Sequence, residues 1–255
     1  MRVNFREMSS KTLYIIAGSS GLIGSHVCEK LKEKNKHYLG LDFKKENHSK
    51  VIDLSNQEEF ISVIEEAINE DILNISFIYS AGKNGSVEHN GLDKYGSYSE
   101  DDLNDYFNQN AIVPYACSLS LINLAKKKNL NLKVLILCSH YSFVAGTDSL
   151  YSKNDIGEIQ IKPHGYIISK HAAVGVVKSL ASSYGSDRVL INGFAPGGVL
   201  NNQDSGFIDN FKDYAPLRRL ADPQEIAKWI LALSDPDLSY ANGSIFNVDG
   251  GILIR

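Results

Sequence analysis

Short apolar runs alternate along the chain with stretches whose apolar residues recur at a helical period, the pattern of buried strands joined by crossover helices rather than of hairpins. The runs lie at Leu13 to Ala17, Tyr38 to Leu41, Lys50 to Ile52, Ile75 to Ser80, Lys133 to Cys138, Val189 to Gly193 and Ser244 to Val248. Between them, helical patterns cover Leu22 to Lys34, Gln57 to Ile68, Ser99 to Lys128, Tyr166 to Tyr184 and Pro223 to Leu233. About seven buried strands wound with helices on both faces predict an α/β fold, a doubly wound parallel sheet. Lys83 to Tyr98, Ser142 to His164 and Asn201 to Ala215 lack either period and are expected as irregular loops. In open α/β sheets such loops leave the carboxyl ends of the strands and build the binding crevice.

Composition narrows this picture. A chain of 255 residues, 43% of them hydrophobic, suits one large domain, expected over residues 11–255 behind a disordered or expression-derived lead at residues 1–10. No internal repeat or proline-rich linker divides it. The net charge is −4 with scattered Lys and Arg, and no apolar run could span a bilayer, so neither a nucleic acid nor a membrane is expected as a partner. With no apolar signal core at the start, the expected location is cytoplasmic. Cys28, Cys117 and Cys138 each sit in an apolar stretch without metal-ligand spacing, which favours buried thiols over a disulfide framework or a zinc site. His140 and His164 also lack metal-ligand spacing with acidic partners, and no metal site is expected.

Two stretches carry candidate chemistry. The first strand ends in Ala17-Gly18-Ser19-Ser20-Gly21-Leu22-Ile23-Gly24 and runs directly into a helix. Glycines permit a tight turn and close backbone approach, and free N–H groups at the positive end of the helix attract a pyrophosphate. The second strand ends at Asp42, about 20 residues on, where a carboxylate can accept from an adenosine ribose and would repel the extra phosphate of NADP. NAD is therefore the expected cofactor in preference to NADP, although Lys44 and Lys45 follow at once. Farther along, Tyr166 and Lys170 stand four residues apart on one helix face. An ammonium beside a phenol favours the phenolate and makes proton exchange feasible near neutral pH.

These stretches, together with Asp53-Leu54, Ala81-Gly82, Asn110, Ser139, Asn192, Ala195-Pro196-Gly197-Gly198, Asn242-Gly243 and Val248-Asp249-Gly250-Gly251, fall in an order that resembles the short-chain dehydrogenases/reductases. The likeness runs from about Lys11 to Ile252 and points to that family's single-domain, Rossmann-like branch. It implies that Tyr166 exchanges a proton with a substrate hydroxyl or carbonyl as hydride moves to or from the nicotinamide. Lys170 would lower the Tyr166 pKa and bind the nicotinamide ribose, Ser139 would hydrogen-bond the reacting oxygen, and Asn110 would hold a water against the lysine. Gly18, Ser20, Gly21, Leu22, Ile23 and Gly24 would form the phosphate turn, with Asp53 and Leu54 at the adenine. Ala81 and Gly82 would leave room for the cofactor, while Pro196, Gly197 and Val199 would line the carboxamide side of the nicotinamide.

The sequence departs from the family pattern at Ala17, where a threonine is usual, and at Tyr79-Ser80, where two asparagines are usual. Ser139 and Tyr166 are 27 residues apart, longer than the usual spacing, and the segment between carries Tyr151, Lys153, Asn154, Asp155 and Glu158. That insertion, the Gly-Leu-Ile-Gly turn and the Leu92 to Tyr98 loop are similar to members from bacterial surface-polysaccharide and flagellin-glycan pathways. The likeness implies a polar small-molecule substrate, a sugar or nucleotide-activated sugar. Arg218 and Arg219 are open to two readings, a pair that grips a diphosphate, or Arg219 bracing the loop with Arg218 solvated. The helices over Ser99 to Lys128 and Tyr166 to Tyr184 carry apolar residues around their circumference, so a homo-oligomer, dimer or tetramer, is expected. Alternatives are a 3-oxoacyl-[acyl-carrier-protein] reductase, with NADP and a longer apolar channel, and a low-activity NAD-sensing regulatory protein.

Overall fold

Seven parallel strands form a sheet of order β3-β2-β1-β4-β5-β6-β7. They are β1 (Thr12–Ala17), β2 (Tyr38–Asp42), β3 (Lys50–Val51), β4 (Asn74–Tyr79), β5 (Asn131–Leu137), β6 (Val189–Pro196) and β7 (Ile245–Val248). The computed structural model describes residues 11–45, 49–84, 100–146, 150 and 162–254. The expected lead at residues 1–10, the Leu92 to Tyr98 loop and the insertion residues Tyr151, Lys153, Asn154, Asp155 and Glu158 lie outside the described residues.

The central strands are buried on both faces, which is why they read as continuous apolar runs. Their alternate residues serve two cores. Leu13, Ile15, Phe77 and Val134 face one, with Phe60 and Ile64 of α2 (Gln57–Ala67), Leu121 of α4 (Val113–Lys128) and Val177 of α5 (His164–Tyr184). Tyr14, Ile16, Ile78 and Leu135 face the other, with Val27 and Leu31 of α1 (Leu22–Glu33) and Ile226 and Ile230 of α7 (Pro223–Leu233). The remaining helices are α3 (Glu100–Phe107) and α6 (Ser205–Tyr214). The strand order, which runs outward from β1 to β3 on one side and from β4 to β7 on the other, reverses between β1 and β4, and in doubly wound sheets the crevice opens at that switch point.

Two elements differ from the sequence expectation. Asn201 to Ala215 is not an irregular loop, because α6 occupies most of it. The Asp204 side chain accepts from the Phe207 amide at 2.9 Å, and Phe211 is buried against Leu220 and Ile252. The single helix expected over Ser99 to Lys128 is interrupted by a π-helical turn, Asn108–Ile112, between α3 and α4. The wider turn tucks Asn110 and Ala111 inward, and such turns recur at functional sites.

Candidate active site

The chain leaves β1 through Gly18, whose φ of +84° favours glycine, and an added Cβ there would come within 2.6 Å of the Ala81 Cα. The turn closes with the Gly21 amide donating to the Gly18 carbonyl at 3.1 Å, and Gly21 caps α1 with no side chain over the first amides. The first amides of α1 are thus left without a side-chain cap next to the cleft, an arrangement that suits a pyrophosphate. Gly24 plays a different part. An added Cβ would stand 2.8 Å from the Gly18 carbonyl carbon and 2.9 Å from Ser80 Oγ, so it lets α1 pack against the turn rather than lining the cleft.

Asp42 is buried at the end of β2 and is already engaged by the backbone. Its two oxygens accept from the Ser20 amide at 3.0 Å and from the Lys44 amide at 3.1 Å. The Ser49 hydroxyl bonds Ser19 Oγ at 2.8 Å and Ser20 Oγ at 2.7 Å, tying the strand that follows to the same turn. A cavity of about 570 Å³ opens there, lined by Gly18, Ser20, Gly21, Asp42, Asp53, Leu54, Ala81 and Gly82 among others. Asp53 is exposed, and hydrogen bonds from the side chain and the amide of Ser55 hold its carboxyl below the ordinary value.

A second cavity of about 350 Å³ shares Gly21, Ser80, Ala81, Gly82 and Lys83 with the first, so the two form one cleft across the switch point. Its walls bring together Leu22, Ile23, Asn110, Ser139, Tyr166, Lys170, Pro196, Gly197 and Val199. Ser139 follows β5 and starts a short 3-10 turn, His140–Ser142, with its Oγ accepting from the Tyr141 amide at 3.2 Å. Lys170 Nζ donates to the Leu137 carbonyl at 2.9 Å and lies 5.8 Å from the centre of the Tyr166 ring. Burial lowers the Lys170 ammonium to about 8, with Cys138 acting against it.

Tyr166 is half-buried, yet enough protein surrounds its hydroxyl that burial raises its pKa above the ordinary phenol value, while a hydrogen bond from Ser139 acts the other way. The lowered phenol pKa expected from Lys170 is thus not what this geometry gives, because desolvation outweighs the stabilising groups. Asn110 Nδ2 donates to the Lys83 carbonyl and to Ser169 Oγ, each at 2.9 Å. Its Oδ1 is buried without a hydrogen-bond partner among the described residues, and beside it an added Gly82 Cβ would lie 3.8 Å from Lys170 Nζ.

Of the residues expected to act in catalysis or cofactor binding, Gly24 alone does not line the cleft. Several lining residues escaped notice, among them Tyr141, Gln203, Phe207, Phe211 and above all Lys162. Lys162 had one signal available, since Lys162, Tyr166 and Lys170 repeat at intervals of four. Arg219 is a brace: it forms a two-pronged ion pair with Glu225, with bonds of 2.6 and 2.8 Å, while Arg218 pairs with Asp213 at 3.3 Å. Asn192 and Asn242 are also structural, with Asn192 Nδ2 bonding the Ala241 carbonyl at 2.7 Å and Asn242 Oδ1 accepting from the Ile191 amide at 3.0 Å.

The chain has counterparts among known proteins. Residues 19–253 match the sequence model of a family described as Enoyl-(Acyl carrier protein) reductase. A 2,5-dichloro-2,5-cyclohexadiene-1,4-diol dehydrogenase of Sphingobium indicum is 25% identical over 263 residues, covering 96% of this chain and 98% of the relative. The crystal structure of a short chain dehydrogenase from Leptospira borgpetersenii with bound NAD+ superposes with a TM-score of 0.79 at 23% identity, over 99% of this chain and 96% of the other. The structure of ElxO with NADP bound superposes at 0.77 with 19% identity, over 96% of this chain and all (100%) of that one. These two likenesses speak to the fold, whereas the family match extends over nearly the whole chain. The chain belongs to the short-chain dehydrogenase/reductase family and is an NAD(P)-dependent oxidoreductase acting on CH–OH groups.

Proposed function

We propose that the chain interconverts a secondary alcohol and a ketone on a polar, carbohydrate-type substrate, with NAD as its preferred cofactor and Tyr166 as the proton-transfer group. The observation that carries this reading is the convergence of Ser139, Tyr166, Lys170 and Asn110 on one wall of a cleft whose other end holds the glycine turn and Asp42.

The cofactor's nicotinamide supplies the hydride acceptor or donor. Gly18, Ser20, Gly21, Leu22 and Ile23 offer the pyrophosphate a turn with room for close backbone approach, and Gly24 packs the helix behind it. Asp42 accepts from the ribose, Asp53 and Leu54 flank the adenine, and Ala81 and Gly82 leave space between. Pro196, Gly197 and Val199 border the nicotinamide end. Tyr166 takes the proton of the substrate hydroxyl in oxidation and returns it in reduction, and Ser139 hydrogen-bonds the same oxygen. Lys170 holds the nicotinamide ribose and favours the ionised phenol. The orphaned Asn110 Oδ1 near Lys170 is placed to accept from a bridging water and pass the proton outward.

A polar substrate is favoured by the side chains around Tyr166, where Asn84, Lys162 and Gln203 border the cleft. The Sphingobium relative is named for a ring diol, which supports a secondary alcohol as the reacting group. The NAD preference rests on the Asp42 carboxylate, which a ribose phosphate would have to approach. We further propose one domain over residues 11–255, a homo-oligomer and a cytoplasmic location.

A second reading, reduction of a 3-oxoacyl group on an acyl carrier protein, draws on the description attached to the matching family. It expects NADP preference and an apolar channel. Steady-state kinetics with NAD and NADP against a panel of sugars, polyols and an acyl thioester separate the two. Tyr166→Phe keeps the ring and removes the proton, so loss of nearly all turnover is the expected result. A variant retaining most of it would remove Tyr166 from the chemistry.

A further inference from the structure

Lys162 lies two residues before α5, held by Pro163, and reaches back over the helix it precedes. Its Nζ donates to Asn84 Oδ1 at 2.7 Å and stands 4.3 Å from the centre of the Tyr166 ring, closer than Lys170 at 5.8 Å. Tyr166 is therefore bracketed along the helix by two ammonium groups. Both are pushed down to about 8, Lys170 by burial and Lys162 by burial together with the nearby Lys170.

Other titratable groups around Tyr166 are less suited to the task. From the end of β5, the Cys138 thiol is pushed up to about 11 and stays neutral, with Ser139 beside it. From the 3-10 turn, burial lowers His140 to about 4, and the Tyr141 ring meets Tyr166 edge-on at 6.2 Å. From α3, Tyr106 lies beneath Lys83 at 4.7 Å, and Lys83 is held by Asp105 at 2.6 Å and Asp102 at 3.7 Å. Lys162 and Lys170 are thus the cations poised to respond to Tyr166.

An ammonium over an aromatic face is attracted by the ring's negative face, and loss of the phenol proton adds charge to that ring. The attraction grows as the phenolate forms, which lowers the pKa of the phenol. The value of about 8 for Lys162 reflects burial and Lys170 with the phenol neutral, and a phenolate beneath the ammonium would in turn hold the lysine charged to higher pH. We propose that Lys162 is a second activating cation for Tyr166, a positioning residue that stabilises the phenolate through the ring face while Lys170 acts from the following turn. This rests on Tyr166 being the proton-transfer group.

The test compares the parent chain with Lys162→Met, Lys162→Arg and Tyr166→Phe. NMR of ring-labelled tyrosine in the cofactor-free protein, with the Tyr166 resonance assigned by its absence in Tyr166→Phe, reads the phenol directly. The pH profile of kcat/KM for alcohol oxidation reads it in the working enzyme. Lys162→Met is expected to move both the NMR midpoint and the rising limb upward by about one pH unit, while Lys162→Arg stays within a few tenths of the parent. At a pH below the limb this appears as a fall in oxidation rate of about tenfold, with the high-pH plateau retained. Lys162→Gln, which keeps a polar end for Asn84, replaces the Met variant if that one does not fold. Unmoved midpoints and limbs, even with a lower plateau, would overturn the proposal, as would an arginine variant that shifts as far as methionine. Full turnover in Tyr166→Phe would instead overturn the reading beneath it, while the NMR midpoint would still report on Lys162.

Discussion

The Asp42 carboxylate accepts the Ser20 amide at 3.0 Å, so the acidic side chain at the end of β2 also fixes the glycine turn at the end of β1. Cofactor choice and turn geometry are joined in one residue. Asp42→Asn removes the charge and keeps one of the two acceptor oxygens, for the Ser20 amide but not also for the Lys44 amide, whereas Asp42→Ala removes both. The asparagine variant is expected to shift the ratio of kcat/KM values toward NADP by about tenfold, the effect of losing one close charge repulsion. The alanine variant should add a loss of stability of about 1–2 kcal/mol, seen in denaturant titration, because the Ser20 amide loses its partner. An asparagine variant with the parent's ratio would show that Asp42 does not set the preference.

Gly24→Ala sets helix propensity against packing. In an exposed helix interior the change would stabilise by roughly 0.5–1 kcal/mol. In α1 the new methyl would meet the Gly18 carbonyl carbon at 2.8 Å and Ser80 Oγ at 2.9 Å, backbone and side chain that define the turn. Overpacking of this kind costs about 1–3 kcal/mol, so the net sign is expected to be destabilising. Thermal denaturation measures it, and cofactor affinity should fall in step because the displaced carbonyl belongs to the turn.

What could be read from the sequence was what is local. The strand runs, the turn from Gly18 to Gly24 and the Tyr166–Lys170 spacing depend on residues a few positions apart, and the structure reproduces each with shifts of one to three residues at most boundaries. α6 was missed although Asp204 as a cap and Phe207, Phe211 and Tyr214 at helical spacing were present, because the glycine and asparagines around them read as loop. The π-turn at Asn108–Ile112 leaves no periodic trace, since one extra residue in a long amphipathic stretch barely alters the pattern. Lys162 meets Asn84 across 78 residues, a relation set by how the sheet brings two loops together.

His140 gives stability a pH dependence whose sign can be worked out. Burial lowers its pKa to about 4, whereas in the unfolded chain it titrates at about 6.5. Between these values the unfolded chain binds the extra proton, so stability rises with pH in that window and is lost as pH falls toward 4. The slope approaches 1.4 kcal/mol per pH unit, or roughly 2 kcal/mol between pH 6.5 and 5. His140→Leu removes the group, and its stability curve from denaturant titration is expected to be flatter than the parent's by about that amount over the same range. Parallel curves would mean that the imidazole titrates in the folded chain as it does in the unfolded one.

Ile112, Tyr115 and Ile168 are 56%, 39% and 48% exposed on the π-turn, α4 and α5, helical elements that pack side by side on one face of the sheet. Complete burial of a large apolar side chain stabilises by about 1.5–3 kcal/mol, of which these half-exposed residues forgo about half, and a second copy meeting the same helices across a two-fold axis would recover part of it. Self-complementarity makes the surface sensitive to charge, because one substitution places like charges on both sides of the axis. For the proposed homo-oligomer, Ile168→Asp should therefore shift the assembly toward monomer at micromolar concentration, as read by light scattering, and the helices' packing on the sheet should survive because Ile168 is exposed rather than in the core. A parent chain that already scatters as a monomer would place these residues outside any stable interface.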